Sequence, residues 1–120
     1  MVITPRIRLA AAVLYFIFIS VMFFLPGSVL PKEDWLSRIY FDKWVHIGFF
    51  MVLLLLWLWG LMPGKYGVVW LLVAAAVYGI SVEFIQDRFI PNRSFDLGDW
   101  AADITGSFVG VWFWDRYIKK

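Results

Sequence analysis

Four long apolar stretches take up most of this chain, and they constrain its fold more than any other feature. Leu9–Leu25 holds seventeen residues without a charge, and Trp44–Met62 holds nineteen with His46 as its one ionisable group. A third opens near Tyr66, runs uncharged from Gly67 to Val82 and then meets Glu83. The fourth, Trp100–Trp114, contains Asp103 and needs Leu97, Gly98 and Asp99 to reach span length. A helix needs ~20 residues to cross ~30 Å of hydrocarbon, and it satisfies its own backbone hydrogen bonds there. The spacing predicts helices over about 7–25, 44–62, 66–86 and 97–115. With 120 residues in all, no room is left for a second domain, so residues 1–120 form one transmembrane unit.

Composition identifies the solvent. Hydrophobic residues make up 62% of the chain and charged residues 17%. Ordinary globular domains run at about 45–50% and 25%. A small soluble domain needs more polar surface than a large one, not less. The expected fold is therefore all-α: a polytopic four-helix transmembrane bundle. A net charge of +2 offers no footprint for nucleic acid. With no cysteine, disulfides, thiolate nucleophiles and Cys-ligated zinc are excluded.

The first stretch also resembles a signal peptide, with Arg6 and Arg8 as a basic flank. Its seventeen residues exceed the usual ~7–15, and Pro26-Gly27-Ser28 is a poor cleavage site, so it reads as a retained span. Trp35, Tyr40, Trp44, Trp100, Trp112, Trp114 and Tyr117 fall near predicted helix ends, where amphipathic rings favour the interface. Trp57, Trp59 and Trp70 do not fit that rule. One face carries Arg6, Arg8, Lys65, Arg116, Lys119 and Lys120, six cations against five on the other: Lys32, Arg38, Lys43, Arg88 and Arg93. The positive-inside rule then places both termini in the cytoplasm.

Eight of the nine acids fall on the opposite side. Helix two enters there with Asp42, Lys43 and His46. Helix three leaves there with Glu83, Gln86 and Asp87. Helix four starts there with Asp96, Asp99 and Asp103, and Arg88 and Arg93 lie in the preceding loop. The ionisable groups thus share one layer. Asp42 and His46 are i, i+4, Lys43 and His46 are i, i+3, and Glu83 neighbours Gln86 and Asp87 in the same way. On helix four, Asp96, Asp99, Asp103, Gly106 and Gly110 form one stripe, acidic at the mouth and glycine-lined deeper. With Ala102, the glycines permit close approach of another helix, so the acids should face that helix rather than lipid. Ionisable groups inside a membrane are costly and mark functional sites by default.

Each residue also has a plain structural role. Asp96 suits an N-cap and Asp99 a first helical turn. Asp87 and Arg88 suit a solvated helix end, His46 a hydrogen-bonded interior position, and Glu83 with Arg93 an ion pair. Convergence of several acids and bases in one layer favours a site over these separate roles.

"DKWVHIGFF" at Asp42–Phe50, "YGISVEFIQ" at Tyr78–Gln86 and "NRSFDLGDWAADITGSFVG" at Asn92–Gly110 resemble the VanZ-like membrane family. The resemblance rests on Lys43 and His46, Glu83 with Gln86, Arg93 with Asp96 and Asp99, and the Asp103…Gly106…Gly110 tail. It covers roughly Leu9 to Trp114. The chain departs from the pattern at Asp103, where many members look to carry Asn. The resemblance implies a bacterial cytoplasmic-membrane protein and a link to teicoplanin resistance. It implies no defined reaction.

Three functions follow in order. The first is a protein that binds or modulates a cell-envelope component, either a lipid headgroup or a lipid-linked cell-wall precursor. Lys43, Gln86, Arg93, Asp96 and Asp99 would bind the ligand, with Lys43 and Arg93 on phosphate. The eight nearby acids suit a bridging divalent ion, with Asp99 and Asp103 as ligands for Mg²⁺ or a similar oxygen-preferring metal. Zinc is less expected with one histidine and no cysteine. The second is a membrane enzyme acting on a lipid-linked phosphate. His46 would be its base, oriented by Asp42 or Glu83, with Glu83 a second catalytic candidate. The third is a small proton-coupled carrier. Glycine-containing faces also allow a homo-oligomer.

Overall fold

The computed structural model describes residues 3–25, 41–91 and 95–118. The described residues hold four α-helices and no strand. These are α1 (Pro5–Phe23), α2 (Phe41–Leu61), α3 (Lys65–Phe89) and α4 (Leu97–Phe113). The helical path continues from α4 through a π-helical turn, Trp114–Ile118.

Local chemistry sets the helix ends. Thr4 caps α1 by accepting from the Ile7 amide at 3.2 Å, and Pro5 occupies the first turn, where its missing N–H costs nothing. α2 stops at Met62, whose φ of 47° is left-handed, immediately before Pro63. A residue before proline is disfavoured from the helical region, and here it leaves that region altogether. Asp96 caps α4 by accepting from the Gly98 amide at 2.8 Å, with Asp99 following in the first turn.

Successive helices alternate in direction. Along α1 and α2, Arg8 lies over the Trp59 ring at 5.9 Å while the Tyr15 hydroxyl donates to the Phe49 carbonyl at 2.9 Å. Along α3 and α4, Trp100 Nε1 donates to the Ala76 carbonyl at 2.9 Å, and the Asp96 amide donates to Glu83 Oε1 at 3.0 Å. α2 and α4 run parallel, with His46, Ile47 and Met51 facing Asp103, Gly106 and Gly110 in turn, and theirs is the most extensive helix contact among the described residues.

That contact depends on glycine. A Cβ at Gly106 would overlap the Ile47 carbonyl, and one at Gly110 would sit 2.7 Å from the Met51 carbonyl oxygen. The small-residue stripe of α4 thus lies directly on the α2 backbone, where close packing replaces the hydrophobic force that lipid cannot supply. Gly79 of α3 plays a similar part, because a Cβ there would sit 2.7 Å from Asp103 Oδ2.

The bundle is apolar outside and partly polar inside. Leu14, Ile17, Phe18, Val21, Trp70, Val77, Phe84, Phe108 and Trp112 are exposed, whereas His46, Glu83, Gln86, Asp99, Asp103 and Ser107 are buried. Around them lies a core of Ile19, Phe23, Phe50, Leu53, Leu54, Ala75 and Val82. An exterior of this kind is stable in lipid, not in water. α1, α2 and α3 are each long and apolar enough to cross a membrane, the pattern of a multi-pass membrane protein. Two of the tryptophans away from helix ends also find their role here. Trp59 lies under Arg8, and Trp70 points outward toward lipid.

Candidate functional site

The polar residues gather where the starts of α2 and α4 meet the end of α3. They form two groups, one above the other.

The outer group is built around Lys43. Its ammonium reaches Asp96 Oδ2 and Asp99 Oδ1 at 2.7 Å each, and Asp42 Oδ2 at 2.8 Å. An ammonium has three protons, and each is directed at a carboxylate. The sequence placed Lys43 and His46 on one face of helix two, and both do turn toward α4. Asp42 instead stays at the surface, half exposed, beside the head of Lys43. Asp96, at the mouth of the bundle, has its carboxyl held below the usual carboxylate range by the Lys43 hydrogen bond.

The inner group is buried. His46 Nδ1 lies 2.6 Å from Asp103 Oδ1, and His46 Nε2 lies 3.6 Å from Asp99 Oδ2. The imidazole is therefore oriented by Asp103, not by Asp42 or Glu83. Asp42 loses that role because Lys43, its immediate neighbour, draws its carboxylate outward. The Phe23 ring stacks on the other side of His46, with centroids 5.0 Å apart. Glu83 enters from α3 and uses Oε1 to accept the Asp96 amide, which ties the α4 cap to the interior.

Asp99 and Asp103, adjacent on the α4 stripe, end up in different groups. Asp99 is taken by Lys43, while Asp103 joins His46 beside Glu83. Gln86 does not turn toward the acids. Its amide nitrogen donates to the Phe23 carbonyl at 2.6 Å and so closes the end of α1. Asp87 accepts from the Phe95 amide at 3.2 Å. Arg93, and with it the suggested Glu83–Arg93 pair, lies outside the described residues.

Phe23, Gly79 and Ser107 were not evident from the sequence. Phe23 covers His46, Gly79 leaves room for Asp103, and the Ser107 hydroxyl donates to the Asp103 carbonyl at 2.8 Å. Gly79 carried the one usable signal, a glycine about one helical turn before the buried Glu83.

Gln86→Met leaves the Phe23 carbonyl without its partner in a buried setting. The expected loss is about 1–3 kcal/mol of stability. Thermal unfolding in detergent measures it, and an unchanged Tm would show that water takes over the bond.

No family model, no curated protein and no solved structure matches this chain.

Proposed function

We propose that the chain is a four-span, VanZ-like protein of the bacterial cytoplasmic membrane, with both termini in the cytoplasm. It binds or modulates an amphiphile of the cell envelope, a lipid or a lipid-linked cell-wall precursor, at the extracytoplasmic face. A role in glycopeptide resistance belongs to the same reading. Helical backbone from Leu97 to Ile118 supports the fourth span. The alternating helix directions support termini on one side.

The observation that carries the reading is an apolar cavity deeper in the bundle than the polar layer. It has a volume of about 350 Å³ and lies between α1, α2 and α3, lined by Phe16, Leu54, Trp57, Leu61, Leu71, Ala75 and Tyr78 among others. At 1.5 Å of rise per residue, it begins about 7 Å from Glu83, at Tyr78, and ends about 22 Å from His46, at Leu61. A headgroup at the polar layer would place its chain along this cavity. Among the described residues the carboxylates around Lys43 outnumber it, so hydroxyl or amine groups on the headgroup fit better than a bare phosphate.

The test is lipid retention. Native mass spectrometry of the protein in mild detergent should find one bound amphiphile on the wild type. Ala75→Phe, which fills the cavity, should lose it while keeping the same elution volume. A wild type that carries none would end the proposal.

A second reading, a membrane enzyme on a lipid-linked phosphate, draws support from the 2.6 Å contact between His46 and Asp103. A carboxylate that orients an imidazole is the arrangement of a general base. Turnover of a polyprenyl phosphate, abolished in His46→Ala, would favour it.

A further inference from the structure

The inner group holds two buried carboxyl groups against a single imidazole. Glu83 is 0% exposed and Asp103 1% exposed. One oxygen of each, Glu83 Oε2 and Asp103 Oδ2, is buried with no hydrogen-bond partner among the described residues. A buried carboxylate oxygen without a partner is expensive in an apolar surrounding. Lys43 does not relieve this, because its three protons are already directed at Asp42, Asp96 and Asp99.

The same residues present metal-ligand geometry. His46, Glu83 and Asp103 each offer one donor atom, and these atoms lie within 4.8 Å of one another. Tetrahedral bonds of ~2.0–2.1 Å place donor atoms roughly 3.4 Å apart, which small side-chain rotations can reach. The donors come from three helices, α2, α3 and α4, and Gly79 makes room for the Asp103 carboxylate among them. A dication with a neutral imidazole and two carboxylates is electrically neutral, which suits a dry interior.

We propose that His46, Glu83 and Asp103 form a buried site for a divalent transition-metal ion. The donor set is one nitrogen and two oxygens. That mixture suits Zn²⁺ over Mg²⁺ or Ca²⁺, which prefer all-oxygen shells with more ligands. Three protein ligands leave a fourth position open, as in zinc sites that take an exchangeable ligand. Asp99 belongs to the Lys43 group and supplies no ligand.

The proposal stands apart from the amphiphile reading, and the two fail separately. Purified protein is stripped with a chelator, loaded with Zn²⁺, desalted and assayed for metal content. Co²⁺ is then bound in its place and its visible absorption recorded. Wild type should hold one ion per chain, with cobalt bands of a low-coordinate site. His46→Ala, Glu83→Gln and Asp103→Asn should each weaken Zn²⁺ at least tenfold. Asp115→Asn, exposed at the opposite end of the bundle, should leave it unchanged. Glu83→Gln and Asp103→Asn remove charge without changing shape, so they should elute as folded protein. A wild type that binds no Zn²⁺ overturns the proposal. Binding that survives all three substitutions also overturns it, since the ion then sits elsewhere. Zinc without bound lipid leaves this site standing and removes only the amphiphile.

Discussion

Gly106→Val is expected to pull α4 away from α2 and lower stability by about 3 kcal/mol or more. Overpacking a tight contact costs typically about 1–3 kcal/mol, and the cost is higher when the neighbour is backbone. Here the new Cβ would overlap the Ile47 carbonyl, which cannot rotate aside as a side chain would. The same shift would separate His46, the residue beside Ile47 on α2, from Asp103, one turn before Gly106 on α4. Thermal unfolding in detergent gives the first readout. Gly48→Ala is the control, because a Cβ there meets nothing within 4 Å. It should be neutral or slightly stabilising, as alanine is the better helix former. Equal losses in the two variants would mean that the α2–α4 contact does not depend on close approach.

Lys43→Met is expected to have the next largest effect. Among the described residues, it removes the one cation that pairs with Asp42, Asp96 and Asp99. Breaking a fully buried pair costs about 3–5 kcal/mol. The Asp42 and Asp96 side chains are 55% and 42% exposed, so solvent screens part of this, and about 2 kcal/mol is expected. The pH dependence gives a sharper test. Lys43 holds the Asp96 carboxyl below its usual range, so the folded state is favoured once Asp96 is ionised. That stabilisation is full above the unfolded carboxylate value of about 3.9 and is lost as pH falls through the lower folded value. The Tm gap between wild type and Lys43→Met should therefore narrow as pH drops from about 7 to about 3. A constant gap would show that Lys43 acts through packing of its stem instead.

Much of this arrangement could be read from the chain. Apolar length alone predicted the helices, and the observed bounds differ by only a few residues. Those shifts come from caps and breakers: Thr4 and Pro5 start α1 early, and Met62 before Pro63 ends α2. Periodicity placed Lys43 and His46 on one face of α2, and Asp99, Asp103, Gly106 and Gly110 on one stripe of α4. Both follow from 3.6 residues per turn.

Pairing between helices was not readable in this way. Sequence spacing determined the angle at which each side chain leaves its own helix, and composition determined that lipid surrounds the bundle. Tertiary structure decided that His46 meets Asp103, that Asp99 goes to Lys43, and that Gln86 serves the Phe23 carbonyl. Those choices depend on how far one helix slides and rotates against its neighbour. Close backbone contact at Gly106 and Gly110 sets that slide for α2 and α4, and no periodicity within a single helix encodes it.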